Sequence, residues 1–209
     1  MRKRNVKITT PVGKAIWPHL NTPDTTFGKD GGIYAVTLRL PKSEASNLIE
    51  EITKVYKDNI KNLEKEKGKK PKPASMPVKD SEDEDGNPTG EVDIKFKLKA
   101  VGKSGSDTWE QRPALSDSSG KPLTEVVGGG STIKVGAEII PYFTASVGAG
   151  VTLRLKAVQV IELVEYSTGG DFNAWSFEKE DGFVSKGKEE PAMADPVSSE
   201  PEHESGYDF

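Results

Sequence analysis

Lys95, Lys97 and Lys99 are interleaved with Ile94, Phe96 and Leu98. A period of two marks a strand with one face in a core and the other carrying three ammonium groups in a row. Arg39, Lys134, Arg154 and Lys156 take outward positions in other alternating stretches, and Arg112 follows Trp109. Tyr142, Phe143 and Trp109 lie in or beside segments that contain Pro or Gly. Binding an unpaired nucleic-acid strand needs both features: cations to track the phosphates and flat rings on which bases stack. Plain solvation is the competing account of the lysines, and core or edge packing is the competing account of the rings.

Other chemistries find little support. The chain has no Cys, which excludes disulfides, thiolate zinc sites and cysteine nucleophiles, and only two histidines, His19 and His203. The run Asp80–Gly86 suggests a calcium loop, but with Gly86 at the sixth position the twelfth is Val92, where a bidentate Glu is required. Gly182–Lys188 has the spacing of a phosphate loop, yet Glu189 stands where a Ser or Thr should hold magnesium. Gly128-Gly129-Gly130 reads as a turn with positive φ, because Ile133 replaces the third glycine of a dinucleotide motif. No catalytic constellation, metal site or cofactor site emerges, and the chain is read as a non-enzyme. A magnesium-dependent nuclease built on the acids at 80–85 is a remote alternative.

The charge is unevenly distributed. Of 33 acids, seven lie in residues 189–209, which hold no Lys or Arg; residues 1–188 therefore carry 26 acids against all 29 bases. A basic body with an acidic end suggests a polyanion-binding surface and a built-in polyanion mimic. No apolar run approaches the ~20 residues of a bilayer span. The basic start, Met1-Arg2-Lys3-Arg4, does not lead into an apolar stretch, so an intracellular protein is expected.

The elements that must position these residues follow from periodicity. Val6 and Ile8 mark a first strand and residues 33–40 a second, with Tyr34, Val36, Leu38 and Leu40 on one face. Ser43 is the expected N-cap of an amphipathic helix over about 43–66, with Ala45, Leu48, Ile49, Ile52, Val55, Tyr56 and Leu63 as its apolar stripe and Gly68 ending it. Residues 68–90 read as a mobile charged loop, 91–100 as a strand, 102–107 as a Gly/Ser-rich connection and Asp117–Gly120 as a hairpin turn. Residues 132–140 and 151–163 complete the strands. Beyond Gly170 the period is lost, although Phe172, Trp175, Phe177 and Phe183 have the character to dock on the body.

Five or six antiparallel-looking strands with one inserted helix predict a mainly β protein. The architecture that fits is an oligonucleotide/oligosaccharide-binding (OB) barrel over residues 1–186, followed by a disordered acidic tail, 187–209. A β-sandwich, as in a structural virion or chaperone-like protein with a solubilising tail, fits the pattern nearly as well.

The block Gly128-Gly129-Gly130-Ser131, Lys134-Val135, Pro141-Tyr142, Ala145–Ala149 and Val151–Leu155 resembles the single-stranded DNA-binding proteins of short-tailed, T-seven-like bacteriophages. The likeness extends from Gly31–Pro41 through Val160–Leu163 and Trp175 to the closing Gly206-Tyr207-Asp208-Phe209. The resemblance implies a homodimer in the cytoplasm of the infected host that coats single-stranded DNA during replication, recombination and repair and promotes annealing. It also implies that the tail, with Glu200, Glu202, Glu204, Tyr207, Asp208 and Phe209, recruits the phage DNA polymerase and helicase-primase. The resemblance further implies that, without DNA, the tail occupies the groove. Carried onto this chain, it makes Lys3, Lys134 and Tyr142 groove residues and Phe209 the tail's anchor. The family pattern places Tyr, a basic residue and Trp after the proline. Here Phe143 and Thr144 follow Tyr142, so the second ring has either moved one position, which in a strand turns it to the opposite face, or been lost.

Overall fold

The computed structural model describes residues 5–26 and 31–165. Among them are ten strands and one helix: β1 (Val6–Thr9), β2 (Gly13–Asp24), β3 (Ile33–Pro41), α1 (Lys42–Lys67), β4 (Val78–Glu82), β5 (Pro88–Lys99), β6 (Val101–Ser104), β7 (Asp107–Glu110), β8 (Ala114–Ser116), β9 (Thr132–Thr144) and β10 (Gly148–Glu162). The pairings β2–β3–β5–β10–β9 return from β9 to β2, so five strands close into a barrel. Closure removes the sandwich alternative, which needs two separate sheets. β1 adds to β9, β4 to β5 and β8 to β10, while β6 and β7 form a separate hairpin.

The expected inward faces fill the barrel. Val36, Leu38 and Leu40 of β3, Ile94 and Phe96 of β5, Ile133, Val135 and Ile139 of β9, and Leu153 and Leu155 of β10 are all buried. Tyr34 is half-buried against this core. Helix α1 contributes Ala45, Leu48 and Ile52, with Ile49, Val55 and Tyr56 at its margin. Asn59 ties the helix to the β9–β10 hairpin: its Nδ2 donates to the carbonyls of Tyr142 and Gly150, both at 2.9 Å.

Several expectations need correction. The helix starts at Lys42 with Pro41 at the N-cap position and no side-chain cap bond, so Ser43 is not the cap. The fixed φ of Pro suits a strand-to-helix junction without a capping hydroxyl. The strands are not all antiparallel: β10 runs parallel to β5 and to β8. Alternation reports which face a residue occupies and is silent on strand direction.

Residues 68–90 are not one loop. β4 pairs with β5, and Asp83 Oδ1 accepts the backbone N–H groups of Asp85 (3.0 Å) and Asn87 (2.8 Å) in the turn between them. Asp80 is held 2.6 Å from Lys42 Nζ. The acids at 80–85 are thus turn-forming and surface groups of a hairpin. Residues 102–107 likewise contribute to the β6–β7 hairpin, with Gly105 at its tip. β9 runs through Pro141 to Thr144, which places Tyr142 and Phe143 inside a strand. The 117–120 turn forms as expected: Asp117 Oδ1 accepts from the backbone N of Ser119 and Lys121, both at 2.9 Å.

Candidate nucleic-acid interface

Strand register puts the outward side chains on a grid. One row crosses the barrel through His19 of β2, Ala35 of β3, Lys97 of β5, Arg154 of β10 and Glu138 of β9. Neighbouring rows pair Ile33 with Lys99, Thr37 with Lys95 and Arg39 with Asp93. The parallel β5–β10 seam is the decisive element, because it sets Lys97 beside Arg154 although 57 residues separate them in the chain.

The β6–β7 hairpin rises beside this grid and encloses a cleft of about 580 Å³. Lys97, Lys99 and Arg154 line it with Trp109, Thr152 and Lys103. Lys97 is pushed below the ordinary lysine range, first by partial desolvation and second by the neighbouring Lys95. An incoming phosphate opposes both effects, so anion binding and protonation of Lys97 favour each other. Arg154 Nη1 lies 3.8 Å from Glu138 Oε2, too long for a strong charge-assisted hydrogen bond and half-exposed on the arginine side.

Two rings on this surface rest on glycines directly across a strand pair. Trp109 pairs with Gly102, and a Cβ at Gly102 would lie 2.6 Å from Cζ2 and Nε1 of the indole. Tyr142 pairs with Gly150, where a Cβ would stand 2.6 Å from Oη and 2.7 Å from Cζ. The missing Cβ lets each ring lie against its neighbouring strand. Trp109 is 47% exposed, so the bedded indole presents surface to solvent. Tyr142 lies on the same outward face of the β9–β10 pair as Thr152 and Arg154, two residues beyond the Ile140–Thr152 pair. The sequence contains this signal, an aromatic opposite a glycine, but strand pairing is needed to read it. Gly102→Ala should lift the indole and weaken oligonucleotide binding by up to the value of one stacked base, about 1–3 kcal/mol. The melting temperature should hold, because β6–β7 lies outside the barrel. Titration beside a thermal melt checks both expectations.

The remaining candidates scatter. Arg39 is engaged by Asp93 through two 2.8 Å bonds, Nε to Oδ1 and Nη2 to Oδ2, so its charge is already met. That bond also raises the Arg39 pKa. Arg112 lines a neighbouring cleft with Tyr34 and Glu110. Lys134 pairs with Gln159, beyond Glu138 from the cleft, and Lys156 sits at a bulge in β10. Phe143 is turned away from Tyr142, as strand alternation requires, and its ring centroid receives Lys67 Nζ at 3.4 Å. That contact uses the ring's face on the helix side of the barrel. Lys3, Phe172, Trp175, Phe177, Phe183 and the tail residues Glu200, Glu202, Glu204, Tyr207, Asp208 and Phe209 lie outside the described residues. Lys103, which shares the cleft with Gln111, escapes the sequence reading because the connection that holds it reads as a linker.

Among the described residues no group of three or more His, Asp or Glu is placed to hold a metal ion, and no helix is long and apolar enough to cross a membrane.

A family model described as the single-stranded DNA-binding protein of bacteriophage T7 matches residues 14–163. The chain is 30% identical over 208 residues to the single-stranded DNA-binding protein of Enterobacteria phage T3, covering 90% of this chain and 86% of that one. It is 31% identical over 190 residues to the protein of the same name from Escherichia phage T7, covering 81% and 78%. Among solved structures, gp2.5, a single-stranded DNA-binding protein encoded by bacteriophage T7, superposes with a TM-score of 0.66 at 26% identity, covering 87% of this chain and 100% of that one. The single-stranded DNA-binding protein of bacteriophage Enc34, solved in complex with ssDNA, shares the fold with a TM-score of 0.55 at 19% identity, covering 78% and 89%.

Proposed function

The chain belongs to the T7-type family of phage single-stranded DNA-binding proteins, and on that premise we propose that it coats unpaired DNA without strong sequence preference during phage replication and recombination. The observation that carries this reading is the convergence of Lys97, Lys99, Arg154 and the bedded Trp109 on one cleft of a closed barrel. Cations there track phosphates while the indole, with Tyr142 farther along the same outward face, stacks bases. None of these contacts reads a base edge, which is why binding tolerates any sequence.

The proposal extends to the parts that the sequence and family suggest. Residues 189–209, acidic and closed by Phe209, compete with DNA for the cationic surface. Once displaced, they engage the phage polymerase and helicase-primase. The protein acts as a homodimer in the host cytoplasm and promotes annealing of complementary strands. It needs no cofactor and catalyses no reaction.

The test is a fluorescence titration. Poly(dT) at low salt should quench the tryptophan emission, and added salt should restore it, with log K falling by about 0.7 per phosphate neutralised for each decade of salt. A chain lacking residues 189–209 should bind more tightly at matched salt. Weaker binding by the truncated chain would end the competition model, and no quenching at any salt would end the reading itself.

A further inference from the structure

Trp17 is the described residue whose conformation is hardest to explain by packing alone. It is the only described non-glycine with positive φ, at 48°, and its side chain is 82% exposed. A bulky residue in the left-handed region is a strained outlier, and folds retain such strain mainly at functional sites. Burial does not compensate here, since the indole stands in solvent.

The surroundings are built rather than loose. β2 bulges between Ile16 and His19, which displaces Trp17 and Pro18 from the regular pairing with β3. The wall opposite is clamped by Asn21, whose Nδ2 donates to the Glu125 carbonyl (2.9 Å) and whose Oδ1 accepts from the Val127 N–H (3.1 Å). Between them lies a cleft of about 480 Å³ lined by Trp17, Pro18, Val126, Val127 and Gly129. His19, at the edge of the bulge, begins the row that runs through Ala35 to Lys97 and Arg154. Three inter-strand spacings, about 14 Å in all, separate His19 from Arg154. The small Ala35 between His19 and Lys97 leaves that path low.

We propose that Trp17 is a further stacking platform, taking a base of an unpaired strand whose phosphates lie on Lys97 and Arg154. The inference rests on the proposed binding of single-stranded DNA and adds a contact on the opposite side of the barrel grid from Trp109. A nucleobase is the occupant because the indole stands beside the start of the row that leads through Ala35 to Lys97 and Arg154, and an exposed ring there suits a flat, apolar partner on an anionic chain. The strain at Trp17 holds the ring outward, ready for that partner.

The experiment uses the full chain and labelled oligo(dT), read by anisotropy over a salt series beside thermal melts. Trp17→Gly relieves the positive φ, so it should melt at or above the wild-type temperature while binding about five- to a hundred-fold more weakly, as loss of one stacked base predicts. Its salt slope should match the wild type, because no phosphate contact is lost. Trp17→Phe should keep most of the affinity. Wild-type affinity in Trp17→Gly would overturn the platform while leaving DNA binding intact. A Trp17→Gly chain that binds weakly only because it melts early would also overturn it. A wild-type chain that is folded but binds no oligonucleotide would take down the proposed function and this inference together.

Discussion

The triple variant Lys97→Ala, Lys99→Ala, Arg154→Ala is expected to lose about two to three decades of oligonucleotide affinity at ~50 mM salt and only a few-fold near 0.5 M. The reason is the origin of the binding free energy. Each ammonium or guanidinium that meets a phosphate releases a condensed counterion, at about 0.7 decades in K per decade of salt on a single strand. Removing three such contacts should therefore flatten the salt slope by about two. All three side chains line one cleft, and Lys97 and Arg154 are register neighbours across the β5–β10 seam. Folding should be unharmed, since these groups project from outward positions and, of the three, only Arg154 forms an ion pair among the described residues, with Glu138 at 3.8 Å. Arg39→Ala is the matched control. It also removes one positive charge from an outward strand position, but a charge that Asp93 already neutralises. Its salt slope should stay near the wild-type value. An unchanged slope in the triple variant would show that DNA takes another path.

The second large effect is on stability. Phe96→Ala is expected to cost about 3–5 kcal/mol, a large share of the ~5–15 kcal/mol that holds a typical domain folded. Phe96 is fully buried and stands in register with Leu153, also fully buried, at the parallel junction that closes the barrel. In-register pairing between β5 and β10 is confined to Leu153–Phe96 and Arg154–Lys97, so packing holds this seam more than a long ladder does. An alanine leaves a cavity in the buried cluster beside its register partners Val36 and Leu153, which cannot collapse without moving the strands. Urea unfolding should show a lower midpoint, and DNA binding should fall with the folded fraction. A loss below ~1 kcal/mol would show that the seam is closed by other contacts.

The two expectations concern adjacent residues of one strand with opposite roles, and that division was legible in the chain. Alternation in residues 92–99 already separates Val92, Ile94, Phe96 and Leu98 from the lysines between them. The structure agrees: the four apolar residues are buried and Lys95, Lys97 and Lys99 are exposed. The same holds for Val36, Leu38 and Leu40, for Val151, Leu153 and Leu155, and for the helix stripe around Leu48 and Ile52. β2 was not anticipated, because its bulge at Trp17 and Pro18 breaks the period that would reveal it. The β4 and β6–β7 hairpins were read as loops because their strands are short and mostly exposed, with little apolar patterning to detect.

For the site, the chain named the cations and rings but could not sort them. Arg39 and Arg154 look alike as outward arginines; only pairing reveals that one faces Asp93 across β5 while the other stands beside Lys97. Tyr142 and Phe143 are consecutive, yet alternation within β9 sends one to the outward face over Gly150 and the other toward Lys67 of the helix. Local periodicity thus determined which side chains are core, which are surface, and that a helix interrupts a mainly β chain. Those preferences depend on residues a few positions apart. Which surface cations share a cleft was decided by barrel closure, because a parallel seam and cross-strand glycines bring together residues that no local spacing relates. The tertiary structure alone gathered part of a scattered set of charges into one candidate binding cleft.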